Sequence, residues 1–187
     1  MSYDRVKSLL SEGESLGRFY GEERAAAEQM ITLIAAVGPE GQLGYQGDLI
    51  YRSSEDMSHF RRTTKGATVI MGRKTWGSLQ VRPLPGRKCH ILSRSREAGV
   101  RDGATWHTEL SSVLQATSKE KEIFVIGGQE IYDLFMSRAN RMILSVFSSR
   151  PPADRFLPTM EEIDRMGFKK TTVPVIHREF SIVNFRR

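Results

Sequence analysis

Residues 53–75 read SSEDMSHFRRTTKGATVIMGRKT, and this segment contains a helix pattern followed directly by a strand pattern. Asp56, Phe60 and Thr64 recur at four-residue intervals, which predicts one amphipathic helix over residues 53–64. The Lys-Gly pair after it is typical of a helix end, and the apolar run at 67–71 predicts a buried strand. A short helix is predicted to begin at 72–75 and to end at residue 79. A strand that leads directly into a helix is typical of a parallel α/β sheet.

The same alternation continues on both sides of this segment. Buried strands are predicted at 31–37, 88–92 and 122–126, a weak strand at 104–106, and helices at 109–116 and 129–137. The closing strands at 141–147, 168–173 and 179–185 have no helix between them, which indicates an antiparallel hairpin at one edge. The sequence therefore predicts an α/β fold with a largely parallel sheet.

The composition is that of a globular chain with an excess of positive charge. Of the 187 residues, 39% are hydrophobic and 27% are charged, and the formal net charge is +6. Residues 30–187 hold 24 basic and 16 acidic side chains, and a net charge of +8 suits an anionic partner. The basic residues form no long run and are not interleaved with aromatic residues. This pattern favours a small phosphorylated ligand over nucleic acid.

Two further classes of protein are disfavoured. No apolar run approaches the ~20 residues of a membrane-spanning helix, so we expect no membrane segment. Cys89 is the single cysteine, so it cannot form an internal disulfide, and no histidine stands at a metal-binding spacing from it. We therefore expect no metal site, and we expect a reducing, cytoplasmic location.

Residues 1–29 are predicted to be an extension of a domain that spans residues 30–187. Their weak helical pattern is interrupted by Gly13, Gly17 and Gly21, and no basic segment precedes an apolar one, so a signal peptide is not expected. We expect the extension to be partly helical or disordered and to dock weakly on the surface. A helix that binds an unknown partner is the alternative.

A long loop and three strand-to-helix junctions predict a ligand site at one edge of the sheet. Residues 38–52 contain four glycines and are expected to form a mobile lid. The junctions are Gly72-Arg73-Lys74-Thr75, Ser93-Arg94-Ser95 and Gly127-Gly128-Gln129. Glycine lets a pyrophosphate approach the backbone and arginine suits a phosphate monoester, which together favour a dinucleotide with an extra phosphate. Taken singly, each junction also fits a tight turn or a solvated arginine.

Asp56 allows two interpretations from the sequence alone. A carboxylate among apolar side chains on one helix face costs several kcal/mol in order of magnitude unless a polar group meets it, which suggests a ligand. Alternatively, Ser53 is the N-cap of the helix and Asp56 its third-position partner in a capping box, which requires no ligand. Because caps are common, the helix by itself favours the second interpretation.

From residue 30 to its end the chain resembles the dihydrofolate reductases. The motifs that carry the resemblance occur in family order and with near-family spacing. They are Ile34-Ala35-Ala36, Leu43-Gly44, Glu55-Asp56 with Phe60 and Thr64, Val69-Ile70-Met71-Gly72-Arg73-Lys74-Thr75, Arg82-Pro83-Leu84-Pro85-Gly86-Arg87, and Val125-Ile126-Gly127-Gly128 with Tyr132. The resemblance implies an eight-stranded mixed, mostly parallel sheet with an antiparallel C-terminal edge, flanked by four helices.

The resemblance implies reduction of 7,8-dihydrofolate by NADPH, with hydride transfer to pterin C6 and protonation of N5, in support of one-carbon metabolism and thymidylate synthesis. It also implies that antifolate inhibitors bind. Asp56 matches the acid that hydrogen-bonds the pterin, and Ser145 stands where the family usually has a threonine bonded to that acid. The residues implied at the substrate site are Ala36, Asp56, Met57, Phe60, Thr64, Leu79, Arg82, Arg87 and Ile126.

The resemblance also implies a cofactor site, in which a cis peptide bond joins Gly127 to Gly128. Its basic residues match the site of the 2′-phosphate, and its paired glycines match the site of the pyrophosphate. The residues implied at this site are Ala36, Leu43, Gly44, Gly72, Arg73, Lys74, Thr75, Ser78, Ser93, Arg94, Ile126, Gly127, Gly128, Gln129, Ile131 and Tyr132.

Three departures from the family pattern concern the loop and the rate. Ile50-Tyr51 stands where the family has Pro-Trp, Ser54 replaces a proline, and Val81 is an insertion. Tyr51 keeps an aromatic ring with a polar end, so a catalytic role is implied for it with altered geometry. Two other functions stay open. One is a reductase of the same fold acting on a pyrimidine precursor of riboflavin, and the other is a non-enzymatic structural or binding protein that uses the extension.

Overall fold

Strand β1 (Met30–Val37) lies inside the main sheet of the computed structural model, which describes residues 29–187. It pairs in parallel with β8 (Glu122–Val125) and β9 (Arg141–Phe147). Its side chains alternate between two hydrophobic clusters, with Leu33 in one and Ile34 in the other. Burial on both faces explains why β1 is apolar except at Thr32 and does not alternate.

The other elements follow the chain in order. Before β8 lie the strands β2 (Gln42–Tyr45), β3 (Asp48–Leu49), β4 (Thr68–Gly72), β5 (Lys88–Leu92), β6 (Gly99–Arg101) and β7 (Ala104–His107). After β9 lie β10 (Arg155–Phe156), β11 (Lys169–Lys170), β12 (Val175–Ile176) and β13 (Phe180–Arg186). The helices are α1 (Ser54–Thr63), α2 (Arg73–Ser78), α3 (Leu110–Thr117), α4 (Gln129–Met136) and α5 (Met160–Arg165).

The main sheet has ten strands in the order β11-β13-β9-β1-β8-β4-β5-β7-β6, with β12 also paired to β13. The six strands from β9 to β7 are parallel, whereas β13, β11, β12 and β6 pair antiparallel at the two edges. A separate small sheet has the order β10-β2-β3. The predicted α/β class, the mostly parallel sheet and its antiparallel C-terminal edge are confirmed.

The numbers of strands and helices are higher than the eight and four that the resemblance implies. The main sheet has ten strands, three more form the small sheet, and five helices occur within residues 29–187. The additional strands are two or three residues long, which is too short to leave a period in the sequence. The fifth helix, α5, begins at a capping box in which Thr159 accepts from the backbone of Glu162 and the Glu162 carboxylate accepts from the backbone of Thr159.

Two predicted segments have a different structure. Residues 38–52 contain the hairpin β2–β3 instead of an irregular loop, because β10 supplies the pairing partner for β2. The predicted strand at 168–173 is reduced to β11, and β12 forms separately further along the chain. The other predicted strands and helices occur within a few residues of their predicted positions.

The predicted extension, residues 1–29, lies outside the described residues except for its last one. The side-chain amide of Gln29 donates to the carbonyls of Thr117 (2.6 Å) and Glu120 (2.9 Å), and its own carbonyl accepts from Asn140 (3.1 Å). In the part of the chain from residue 29 onward, no helix has the length and apolar character needed to cross a membrane.

Candidate active site

A cleft of ≈ 2080 Å³ opens at the carboxyl ends of the parallel strands β1, β4, β5 and β8. Helix α1 and the hairpin β2–β3 form its other walls. Strand ends gather loops and helix starts at one edge of a parallel sheet, which is where ligands bind in this class of fold. Of the site residues predicted from the sequence, all except Thr64 and Arg82 line this cleft.

Asp56 lies in the first turn of α1 with its side chain half-buried at the cleft. Its backbone N–H donates to the Ser53 hydroxyl (3.3 Å), so Ser53 caps the helix. Within residues 29–187, the Asp56 carboxylate itself has no hydrogen-bond partner closer than the 3.5 Å limit of such a bond. A capped helix therefore presents a free carboxylate to the cleft.

The apolar face of α1 is only partly buried, with Phe60 packed against the edge of the core cluster that contains Ile34. The helix has no fully buried residue, Phe60 is half-buried, and Met57 is 42% exposed. Both line the cleft, together with Leu79 from the end of α2 and Ile126 from the end of β8. These side chains give the cleft an apolar wall beside Asp56, and a flat aromatic ligand would bury that wall.

Arg87 lies at the same end of the cleft and is held rigidly by the protein. Its guanidinium donates to the Thr64 hydroxyl (2.9 Å) and to the carbonyls of Pro85 (2.8 Å) and Arg61 (3.0 Å). It also lies 5.8 Å from the centre of the Phe60 ring. Burial lowers the pKa of the Arg87 guanidinium from its usual value. A fixed guanidinium of this kind is suited to a carboxylate ligand.

Thr64 and Arg82 are the two predicted site residues outside the cleft lining. Thr64 is fully buried behind Arg87, and its hydroxyl also donates to the Phe60 carbonyl (2.9 Å), so it orients Arg87 instead of meeting a ligand. Arg82 is exposed on the loop that precedes the cis bond to Pro83. Its neighbour Val81, the inserted residue, does line the cleft.

The opposite end of the cleft is basic. Arg73 and Lys74 at the start of α2 and Arg94 after β5 all line the cleft and are exposed. Arg94 lies 3.7 Å from the carboxylate of Glu130, and both side chains are more than four-fifths exposed, at 89% and 82%. Such an exposed pair is weak, so Arg94 can exchange Glu130 for an anionic ligand.

Two glycines at this end are required by the surrounding packing. Gly127 has a φ of +113°, and a Cβ there would lie 3.2 Å from the Tyr132 ring. A Cβ on Gly72 would lie 3.1 Å from the Ile131 side chain, and the Gly72 N–H donates to the Gly127 carbonyl (2.8 Å). The peptide bond between Gly127 and Gly128 is cis, as the resemblance implies. Gly127 and Gly128 both line the cleft, so the backbone of the β8–α4 junction forms part of its wall.

The two tyrosines at the site both have occupied hydroxyl groups. Tyr132 donates to the Ile34 carbonyl (2.8 Å), and complete burial raises the pKa of its phenol. Tyr51 donates to the Ser149 carbonyl (2.9 Å), and its ring stacks on Phe147 with the centroids 4.4 Å apart. Burial raises the pKa of Tyr51 as well. Each hydroxyl therefore stays protonated at neutral pH and anchors a wall of the cleft.

Ser145 lies on β9 opposite Ala36 of β1 and is 3% exposed. It lines the cleft, but among the described residues no hydrogen bond joins it to Asp56. The direct bond that the resemblance implies for this position is thus not formed in this structure. A polar ligand or a water molecule between the two side chains would connect them.

The hairpin over the cleft is fixed by a segment that the sequence did not indicate. The Gly44 carbonyl accepts from the Asp154 N–H (2.9 Å), and the Asp154 carboxylate accepts from the Gln46 N–H (3.0 Å). Leu43, Gly44, Asp154 and Arg155 all line the cleft. The pairing spans more than a hundred positions of the chain, and no local motif marks residues 154–155.

Several other cleft residues were missed because they carry no motif. Arg61 and Lys65 follow Asp56 on α1 and just after it, and their positive charges flank the end that holds Arg87. His59 also lines the cleft. No group of three or more His, Cys, Asp or Glu residues within residues 29–187 is arranged to hold a metal ion.

Comparison with known proteins identifies the family of this chain. A family model described as Dihydrofolate reductase matches residues 30–179. A protein named dihydrofolate reductase from Mycobacterium tuberculosis (strain CDC 1551 / Oshkosh) is 37% identical over 138 residues, which cover 71% of this chain and 83% of the relative.

Two further relatives bear the same name. The protein from Mycobacterium leprae (strain TN) is 39% identical over 114 residues, covering 60% of this chain and 68% of the relative. The protein from Bacillus subtilis (strain 168) is 32% identical over 133 residues, covering 71% and 78%. The region that the family model matches, residues 30–179, includes every residue that lines the cleft.

Proposed function

The chain belongs to the dihydrofolate reductase family, and we propose that it reduces 7,8-dihydrofolate to 5,6,7,8-tetrahydrofolate with NADPH as the hydride donor. One observation supports this proposal above the others. The Asp56 carboxylate, which has no hydrogen-bond partner among residues 29–187, faces the same cleft that is lined by Arg73, Lys74 and Arg94. A single cleft that holds a carboxylate beside an apolar wall, and a separate group of cations at the start of α2 and after β5, suits a pterin beside a phosphorylated dinucleotide.

At the acidic end, we propose that Asp56 accepts hydrogen bonds from pterin N3 and the 2-amino group. Phe60 and Leu79 then enclose the rings of the substrate, with Met57, Ala36 and Ile126 completing the apolar wall. The fixed guanidinium of Arg87, held by Thr64, binds the glutamate carboxylate. A riboflavin precursor has no such carboxylate, so these residues favour folate over that alternative. Antifolate inhibitors are proposed to bind at the same end.

At the basic end, we propose that Arg73, Lys74 and Arg94 bind the 2′-phosphate of NADPH. Thr75, Ser78 and Ser93 line the same region. The open backbone at Gly127 and Gly128 and the first N–H groups of α4 suit the pyrophosphate. Ala36, Leu43, Gly44 and Tyr132 surround the proposed nicotinamide, and Gly72, Gln129 and Ile131 complete the wall. NADPH, when bound, supplies a hydride to pterin C6.

The proton for pterin N5 is proposed to depend on Asp56. A carboxyl group beside the pterin can hold the substrate in its reactive tautomer and direct a proton to N5 through water. Tyr51 and Ser145 contribute by shaping the cleft wall beside it, since the Tyr51 hydroxyl is bonded to the Ser149 carbonyl. The hairpin β2–β3 covers the reacting atoms and excludes bulk water.

We also propose that residues 1–29 are an extension to a reductase domain formed by residues 30–187, and that the protein works in a reducing, cytoplasmic compartment. The matched family region begins at residue 30. The single cysteine, Cys89, is buried and free, which fits a reducing location.

Cofactor preference tests the proposal directly. Arg73→Ala and Arg94→Ala remove charges proposed to contact the 2′-phosphate, which NADH lacks. We expect each change to raise the KM for NADPH roughly tenfold and to leave the KM for NADH near that of the parent. Steady-state kinetics with both cofactors measures this difference.

Arg138→Ala serves as the control for these variants, because Arg138 is an exposed arginine after α4 that does not line the cleft. It should leave both KM values unchanged. An equal rise in the KM for NADPH and the KM for NADH in the Arg73 and Arg94 variants would contradict the assignment of the phosphate site.

A further inference from the structure

Four aromatic rings form one continuous stacked column from the cleft to the edge of the sheet. Tyr51 stacks on Phe147 of β9 at 4.4 Å and 15° between the ring planes. Phe147 stacks on Phe180 of β13 at 5.0 Å and 27°, and Phe180 stacks on His177 at 4.5 Å and 12°. Stacked rings at these spacings contribute beyond their buried area and resist displacement of any one member. The column therefore connects Tyr51 mechanically to His177.

At the far end of the column, His177 contacts helix α1. Its Nδ1 lies 2.6 Å from a carboxylate oxygen of Glu55, and its side chain is 18% exposed. Glu55 occupies the first turn of α1, directly before Asp56. Tyr51, at the other end of the column, precedes α1 by only a few residues. The column and the Glu55 contact thus close a ring of contacts around the start of the helix that carries Asp56.

Several charged or titratable groups face His177 from α1. Glu55 is its hydrogen-bond partner, and His59 lies close enough for the two imidazoles to affect each other. Burial is the main cause that lowers the pKa of His59; Arg62 and His177 act in the same direction, and Asp56 opposes them. The Nε2 atoms of His59 and His177 are both buried and have no hydrogen-bond partner within the described chain. From β13, the Phe180 ring stacks on the His177 ring, and the Phe180 carbonyl accepts from the His177 N–H (2.8 Å).

We propose that His177 is a positioning residue for dihydrofolate reduction, because through Glu55 it fixes the first turn of α1 and so the direction of the Asp56 carboxylate. The inference rests on the proposed function. His177 does not itself line the cleft, so its effect reaches the substrate through the residues that it holds in place on α1.

His177 also affects the charge next to Asp56, because it contacts the carboxylate of the neighbouring residue Glu55. Glu55 and Asp56 are neighbours in sequence, so their carboxylates repel each other where Glu55 has no positive partner. A protonated His177 offsets the negative charge of Glu55 in this contact. Without His177, the Glu55 carboxylate has no hydrogen-bond partner among residues 29–187 and lies unpaired next to Asp56.

His177→Phe is the primary test, since it keeps an aromatic ring in the column but removes Nδ1. We expect the KM for dihydrofolate to rise about fivefold while the KM for NADPH is unchanged. The acidic limb of the pH–rate profile should move to higher pH by about 0.3 unit, the size expected for one charge at this range in a solvated site. A purely structural role would lower thermal stability but would not move the limb.

Glu55→Gln provides an independent second variant, which does not depend on His177→Phe folding well. Removing the neighbouring negative charge should move the acidic limb to lower pH by a similar amount. In the double variant the limb should return close to that of the parent, because the charge that His177 balances is gone. Glu161→Gln, which removes an exposed carboxylate on α5, should leave the limb unchanged.

The outcomes separate this inference from the proposed function. A parent protein without turnover would overturn the proposed function and the inference with it. A parent with normal turnover, and a His177→Phe variant whose dihydrofolate KM and acidic limb match the parent, would overturn the inference alone. A double variant whose limb stays displaced would also overturn it, since the effect would then not pass through Glu55.

Discussion

Asp56 takes part in the helix cap through its backbone N–H, whereas its carboxylate faces the cleft. Its backbone N–H donates to Ser53, whereas its carboxylate has no bond to the N-cap, in contrast to the complete capping box of Thr159 and Glu162. Helix capping therefore needs only the backbone of Asp56. The carboxylate can be replaced by an amide without loss of the cap, so a variant at this position separates chemistry from folding.

At the residue scale, the pair formed by the half-buried His90 and the buried His107 makes stability depend on pH. His90 Nδ1 lies 2.9 Å from His107 Nε2, and His107 Nδ1 lies 2.7 Å from the Ser112 hydroxyl. Burial, reinforced by His107, lowers the pKa of His90 to about 4. An unfolded histidine titrates near pH 6.5. Between these values the unfolded chain binds more protons than the folded one, so stability falls as pH decreases from 6.5 to 4.

His90→Asn tests this sign, because its amide can replace Nδ1 in the contact with His107 but cannot be protonated. The melting temperature of the parent should fall between pH 6.5 and pH 4, and that of the variant should fall less, by a difference of a few °C. Thermal unfolding followed by circular dichroism across this range measures both slopes. Identical slopes would show that His90 is not held neutral in the folded state.

At the scale of elements, the hairpin β2–β3 is held over the cleft by the segment around β10. The Leu157 N–H donates to the Gly41 carbonyl (2.8 Å), and the Asp154 N–H donates to Gly44 (2.9 Å). The hairpin is therefore a braced element and not a free loop, and its position depends on close backbone contact at Gly41. The identity of that glycine should matter more than that of the glycine at the tip.

Gly41→Ala and Gly47→Ala form a matched pair for this claim. Both glycines have a left-handed conformation, with φ of +81° and +83°. A Cβ on Gly41 would lie 2.1 Å from the Leu157 carbonyl oxygen, whereas a Cβ on Gly47 would have nothing within 4 Å. Gly47→Ala should cost about 1 kcal/mol of unfolding free energy from backbone strain alone. Gly41→Ala should cost about 2 kcal/mol more, because the backbone must also shift.

Urea unfolding of the two variants and the parent measures these free energies. Equal losses for the two substitutions would mean that the contact between Gly41 and Leu157 does not fix the hairpin.

At the scale of the whole molecule, the local features of the sequence predicted the sheet and the cleft, whereas distant pairings were not predictable. A few adjacent residues are enough to indicate the structure of apolar runs such as 67–71 and of the glycine junction at Gly127-Gly128. The short strands β10 and β12, which were not predicted, form because other strands pair with them. Likewise, the contact between His177 and Glu55 joins positions 122 residues apart. A local pattern in the sequence cannot predict such a contact.

The proposed reduction of dihydrofolate depends most on the Asp56 carboxylate in the full-length protein. The direct measurement is the loss of NADPH absorbance on addition of dihydrofolate, with the parent, Asp56→Asn and Asp164→Asn compared at neutral pH. Asp164 pairs with Lys169 far from the cleft and controls for the loss of a carboxylate. We predict turnover in the parent and in Asp164→Asn, and a rate at least roughly 10²-fold lower in Asp56→Asn. An Asp56→Asn protein as fast as the parent, or a parent without turnover, would contradict it.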